Sequence, residues 1–142
     1  MSIPGGALLG FALWTLLTLL GSVGVYRWSL ILTGRAAIAD FPADNPTGSA
    51  LYLRAMRAHA NCVENLPVFG AIVLAIAIQG TAHPALDVLP IVFLAARIGQ
   101  TVVHIGLPQT NRIVSLRFVL FFTQIICMFA MAGIVVLESR RH

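Results

Sequence analysis

The sequence predicts an all-α protein, an integral membrane four-helix bundle, and three observations point there. The chain of 142 residues is 58% hydrophobic and 10% charged, with mean hydropathy +0.91. A water-soluble domain of this size could not bury so much apolar surface. No Asp, Glu, Lys or Arg occurs in residues 1–26, 65–86 or 118–137, and each stretch is long enough for the roughly 20 residues that carry a helix across the hydrocarbon core. A fourth stretch, 88–107, is apolar around Arg97, Gln100 and His104. We expect one domain over 1–142 with helices at about 4–32, 49–79, 85–106 and 112–138.

The first apolar run has no basic segment before it and exceeds the roughly 7–15 residues of a signal-peptide core, so it is expected to stay as helix 1. Gly10, Gly21 and Gly24 are expected to let another helix approach closely. Tyr26 and Trp28 beside Arg27 suit the membrane–water boundary. The segment GRAAIADFPADNPTG, 34–48, holds Gly, Pro, Asp and Asn without a helical apolar period and is read as the longest loop. Helix 2 contains Pro67, which removes one backbone hydrogen bond and should kink it. A short turn around GTAHPALD leads to helix 3, with Pro90 near its start. The turn GLPQTNR, 106–112, offers Thr110 or Asn111 as a cap for helix 4.

All nine basic residues are arginine, a bias that suits a GC-rich bacterial genome. Arg27, Arg35, Arg54 and Arg57 flank the first connection, and Arg112 and Arg117 the third; the second has none. The positive-inside rule then puts those two connections in the cytoplasm and both termini outside, against the opposing vote of Arg140 and Arg141. We therefore expect a multi-pass protein of a bacterial inner membrane. The arginines form no single patch, which excludes nucleic acid as a partner. Cys62 and Cys127 form no CxxC pair, so neither a disulfide framework nor a metal site is suggested. Cys62 is read as packing, and His83 and His142 as solvated.

At about 100° per residue, Arg54, Arg57, Asn61, Glu64 and Asn65 share an arc of roughly 100° on helix 2. His59 projects away from that stripe. Arg97, Gln100, Thr101 and His104 share one face of helix 3. Polar residues at such depth face a protein interior or a watery cavity. They could merely hold the bundle together, with Glu64 paired to Arg97 and with Asn61 and Gln100 bonding between helices. Ser115 and Gln124 could extend the polar cavity, although a lone glutamine more often bridges two helices. Arg57, His104 and Arg112 exceed that need. Several guanidinium groups beside one carboxylate suit a small ligand bearing carboxylates, which arginine holds bidentately.

The stretch RAMRAHANCVENLPVF resembles the helix 2 signature of the MAPEG family, the membrane-associated proteins in eicosanoid and glutathione metabolism. ARIGQTVVHIGLPQTNR is similar to that family's helix 3 arginine, followed by a turn and an arginine opening helix 4. The resemblance covers nearly the whole chain. It implies a homotrimer in contact with membrane lipids, with sites between subunits near the cytoplasmic side and glutathione as co-substrate. Arg57, Asn61 and Glu64 match glutathione-contacting residues, with His59 and Asn65 at neighbouring contact positions. Arg97 matches the helix 3 arginine, and Gln100 and His104 take positions of aromatic or histidine ligands. Arg35 matches a basic residue ending helix 1. Arg112 matches the arginine that stabilises the glutathione thiolate, with Arg117 as the competing position.

The implied activity is a glutathione-dependent membrane transferase or peroxidase acting on lipophilic electrophiles or hydroperoxides. Asn65, Gln100 and His104 stand where the eicosanoid enzymes have aromatic residues, which turns the expectation away from eicosanoid chemistry. The alternative is a non-catalytic lipid-binding or scaffold protein of the same fold. A small four-helix transporter would need Glu64 as a lone coupling carboxylate, and here it stands among arginines.

Overall fold

A computed structural model describes residues 1–42, 44 and 46–140. Arg141 and His142, which entered the charge and solvation readings above, lie outside them. Helix α1 (Ile3–Thr18) passes through one wide π turn (Leu19–Gly24) into α2 (Val25–Leu32), and these form the first span. A 3-10 turn at Ile38–Asp40 is followed by α3 (Ala50–Gln79), α4 (Ala85–Gly106) and α5 (Asn111–Ser139). No strand occurs among the described residues. All four spans are long and apolar enough to cross a membrane, and the chain is an integral, multi-pass membrane protein.

Helices α1, α3 and α5 start where a side chain can satisfy an orphan backbone donor. Ser2 accepts from Gly5 N at 3.3 Å, Ser49 from Tyr52 N at 3.2 Å, and Thr110 from Ile113 N at 3.4 Å. Helix α3 ends at Gly80, whose φ of 62° is the left-handed conformation that closes a helix most readily without a Cβ. It is continuous through Pro67, whose ring is exposed. Exposed leucines, isoleucines, valines and phenylalanines cover every span, as a lipid-facing surface requires.

The packing is closest between α4 and α5, while α1 lies against α3 and α4 on the other flank. Phe11, Phe69 and Phe93 meet where α1, α3 and α4 converge, all fully buried. Phe69 and Phe93 stack with centroids 4.0 Å apart, and Phe11 contacts both edge-on at 6.1 and 5.3 Å. Since lipid tails are as apolar as phenylalanine, this trio stabilises by close packing and ring geometry more than by leaving water. Gly10 belongs to the same seam, for a Cβ there would lie 3.0 Å from Leu94 Cδ2.

Gly21 and Gly24 do not serve helix contact as expected. A Cβ on Gly21 would meet nothing within 4 Å, and one on Gly24 would meet only the Leu19 carbonyl of its own π turn. That turn shifts the buried face. Phe11, Thr15 and Thr18 point inward at ordinary helical spacing, and the next buried residue is Val23, five positions on. The hydroxyls of Thr15, Thr18 and Ser22 donate to Phe11 O, Trp14 O and Thr18 O, satisfying themselves on their own helix.

Beyond the π turn, the first span reaches the membrane boundary and holds the long loop. Tyr26 stacks on Tyr52 at 4.3 Å. Arg27 Nε donates to Tyr52 Oη at 2.8 Å, and the same guanidinium lies over the Phe41 ring at 5.4 Å. The loop is thus less irregular than expected: it carries the 3-10 turn, capped where Ala37 N donates to Asp40 Oδ2 at 2.7 Å, and Phe41 ties it back to α2. Gly48 sits under the tyrosine pair with φ 154°, where a Cβ would approach Tyr52 Cδ1 to 2.8 Å and Tyr26 Oη to 2.9 Å. Gly48→Ala is expected to destabilise the protein by about 1–3 kcal/mol, read as a lower unfolding midpoint in detergent. An unchanged midpoint would mean that the tyrosine stack yields freely.

Candidate functional site

The two polar stripes end up in different places. On α4, Arg97, Gln100, Thr101 and His104 all turn into the bundle, with 1, 6, 4 and 3% of their surface exposed. On α3 the buried residues run through Ala55, Ala58, Cys62 and Phe69, roughly 110° around the helix from the stripe at 100° per residue. Arg57 and Glu64 are therefore exposed, and Arg54, Asn61 and Asn65 only half-buried. The α3 stripe lies on the flank of the bundle and the α4 stripe in its interior.

Inside, the polar groups of α4 are tied to both neighbours. Gln124 of α5, fully buried, donates from Nε2 to Gln100 Oε1 at 3.0 Å and to Leu120 O at 2.8 Å. Gln100 Nε2 donates to Arg117 O at 3.3 Å. Gln124 is thus the bridge between helices that a lone intramembrane glutamine suggests. Thr101 Oγ1 donates to Arg97 O at 3.0 Å and lies 3.7 Å from Cys62 Sγ, so Cys62 packs against α4 as expected. Arg54 Nε donates to Ile105 O at 3.2 Å, filling one of the open carbonyls in the last turn of α4.

Other groups in the same interior lack a hydrogen-bond partner among the described residues. Nε and Nη2 of Arg97 and both ring nitrogens of His104 are buried without a hydrogen bond, as are Nε of Arg117, Nδ1 of His59 and Nε1 of Trp14. The Arg97 guanidinium lies 5.6 Å over the Phe11 ring. Glu64 is within its electrostatic reach, yet no hydrogen bond joins them, so the close pair that would merely staple the helices is not formed. Arg54, Arg57 and Arg117 lie within electrostatic reach of His104. One end of the bundle thus gathers guanidinium groups, amides and an imidazole around a single carboxylate.

The remaining candidates are more peripheral. Arg35 follows α2 and is exposed, as is Arg112 in the first turn of α5. His59 is half-buried, and Asn65 Nδ2 donates to Asn61 O at 2.8 Å along its own helix. Ser115 is exposed and bonds back to Asn111 O, and so adds nothing to the cavity. His83 is exposed in the opposite turn, where its Nδ1 accepts from Ala85 N. Among the described residues no three His, Cys, Asp or Glu side chains gather as a metal site would need.

Arg117, the competing position, is half-buried on the α4-facing side of α5, seven residues before Gln124 and so on its face. Arg112, about 140° away round the helix, points elsewhere. The Gln100–Gln124 pair should be worth measuring as a unit. Gln124→Leu or Gln100→Leu alone is expected to lower stability by about 1–3 kcal/mol, because the other amide stays buried and unpaired. The double variant should recover part of that loss, with a coupling energy of about 1 kcal/mol in a thermal-melt mutant cycle; strict additivity would show that the bond carries no energy.

No curated protein matches the chain. A family model does, over residues 7–137 and hence over nearly its whole length. That span takes in all four membrane helices, the flank stripe of α3 and the buried polar face of α4, and the chain belongs to the MAPEG family.

Proposed function

We propose that the protein is a glutathione-dependent membrane transferase or peroxidase for lipophilic electrophiles or hydroperoxides. The observation that carries this reading is the flank stripe of α3: Arg57 and Glu64 are exposed on a helix that spans the membrane, where an uncovered charge is expensive. Something polar must lie against them. A tripeptide with two carboxylates and an ammonium group matches their mixed signs, for guanidinium groups hold carboxylates in a bidentate fork and Glu64 can accept from an amine. MAPEG members commonly use glutathione, which agrees with that chemistry.

In this reading Arg57 and Arg35 bind the carboxylates and Glu64 the amino group, with Asn61, Asn65 and His59 bordering them. Arg97, Gln100 and His104 form the wall behind. Glutathione supplies a thiol which, as thiolate, adds to an electrophilic carbon or reduces a hydroperoxide. A free thiol with a pKa of about 8.5 is mostly protonated at neutral pH, and Arg112, always charged, is the residue we assign to hold the ionised form. The second partner arrives sideways from the bilayer. A second copy of the chain would cover the α3 flank, so we propose a homotrimer with sites between subunits. We further propose that the arginine-rich connections face the cytoplasm and both termini the outside of a bacterial inner membrane.

A non-catalytic lipid-binding or scaffold role is the second reading, and the exposure of Arg112 at the start of α5 favours it. Calorimetry with glutathione on the detergent-purified protein, with thiolate absorbance followed on the same sample, separates the two. Binding with thiolate formation is the expected result. Arg112→Ala should then lower turnover on the order of a hundredfold while leaving the oligomer intact. Normal turnover in that variant would remove Arg112 from the chemistry, and no binding at millimolar glutathione would leave the scaffold in its place.

A further inference from the structure

Arg35 differs from the other exposed arginines of the proposed site in what carries it. Arg57 stands on α3 and Arg112 in the first turn of α5, whereas Arg35 lies just beyond α2, where the long loop begins. A cation on a free loop would lose much of its binding energy to ordering that loop. Here the segment is ordered already. Gly34, at φ 68°, turns the chain off the helix, and Leu30 O accepts from both Arg35 N at 2.9 Å and Ala36 N at 3.3 Å. The 3-10 turn follows at once: Asp40 N donates to Ala37 O at 3.1 Å, and Ala37 N to Asp40 Oδ2 at 2.7 Å.

The next residue, Phe41, closes the segment back onto α2. Its ring lies 5.4 Å from the guanidinium of Arg27, a residue about two helical turns before Gly34. That guanidinium is fixed in turn: its Nε donates to Tyr52 Oη at 2.8 Å, its Nη2 to Met56 Sδ at 3.6 Å, and its carbon lies 5.7 Å over the Tyr52 ring. Tyr52 is buried and stacked on Tyr26, whose Oη accepts from Ser49 N at 3.3 Å. Arg27 is thus a post that the bundle holds, and Phe41 is seated on it. Residues 34–41 form a strap anchored at the end of α2 and again at Arg27, and Arg35 is the exposed cation that the strap carries.

We infer that Phe41 is a positioning residue for glutathione binding: seated on Arg27, it holds the strap so that Arg35 meets a carboxylate of the tripeptide with its guanidinium already in place. The inference rests on the reading of Arg35 as a carboxylate ligand proposed above, and adds to it two residues, Phe41 and Arg27, that act through Arg35 without touching the ligand. A bidentate fork binds well only when its plane is fixed, and of the two carboxylate-binding arginines only Arg35 lacks a helix to fix it. Phe41 is a better handle on the strap than Arg27, whose loss would also free Tyr52 and Met56.

The test is calorimetric titration of glutathione into the detergent-purified full-length protein, run as a mutant cycle. Phe41→Leu keeps apolar bulk but removes the aromatic face, and is expected to raise Kd about three- to fivefold. Phe41→Tyr, which keeps the face, should bind as the unaltered protein does. Arg35→Gln should weaken binding about tenfold, and Phe41→Leu should add nothing to it, because a residue that acts through Arg35 has no effect once Arg35 is gone. Asp40→Ala undoes the 3-10 turn instead and should repeat the result by a second route, which decides the matter if Phe41→Leu fails to fold. Hydrogen exchange at the amides of residues 36–40 should quicken in both strap variants. No binding to the unaltered protein at millimolar glutathione would strike the thiol reading and the inference with it. Where the unaltered protein does bind, the inference alone is overturned by unchanged affinity or unchanged exchange in both strap variants, by equal weakening in Phe41→Tyr, or by effects of Phe41→Leu and Arg35→Gln that simply add.

Discussion

In a bilayer the cheapest place for a polar side chain is against another polar side chain, and the interior face of α4 is where this protein meets that constraint. Arg97, Gln100, Thr101 and His104 cannot face lipid at acceptable cost, so α4 is driven to the middle of the bundle with neighbours on every polar side. Helix α5 answers with Gln124 and the Arg117 carbonyl, α3 with Arg54 and Cys62, and α1 with the face of Phe11 over the Arg97 guanidinium. Much of the architecture follows from that one helix. The apolar trio of Phe11, Phe69 and Phe93 then closes the bundle just beyond the polar zone, where no hydrogen bonds are needed.

Polar atoms that remain without a partner in the chain are concentrated in that same zone. Buried donors and acceptors in native proteins are nearly always satisfied, and the exceptions at Arg97, His104 and Arg117 fall together at the end of the bundle where the α4 polar face lies. Among the described residues the opposite half of the bundle shows no such concentration. The two ends therefore differ chemically: the end that holds the α4 polar face offers cations, amides and an imidazole at graded depth. Arg35, Arg57 and Arg112 are exposed, and Arg97, Gln100 and His104 lie buried behind them.

The four spans were legible because membrane helices announce themselves by charge-free length, a signal that needs no tertiary information. The inward turn of Arg97, Gln100 and His104 was equally readable, since i, i+3 and i+7 spacing fixes a face. What could not be read was which side of α3 the bundle would use. Its stripe and its small-residue face of Ala55, Ala58 and Cys62 both qualify as interfaces by composition, and close approach to α4 went to the small residues. The π turn was hidden for a related reason. Glycine-rich apolar sequence is compatible with ordinary helix, and the wider turn shows only when the inward positions on both sides are known. Between Arg112 and Arg117 the helix period does discriminate, for Arg117 stands a heptad before Gln124 on the α4-facing side and Arg112 about 140° away from it.

That π turn has a consequence for the way the first span can change. The helix before it is phased to the Phe11 seam and the helix after it to Tyr52 and the long loop, so the two halves answer to different partners. The extra residue held in the wide turn lets both phases be satisfied in one continuous rod. Winding the segment as ordinary helix with every residue kept would rotate one half against the other by about 100° and turn Arg27 away from Tyr52. Deleting one residue between Leu19 and Gly24 would instead close the wide turn and bring Val23 to ordinary helical spacing from Thr18, with both phases kept. The first span can thus lose that one residue while the contacts of Phe11 and of Arg27 stay as they are.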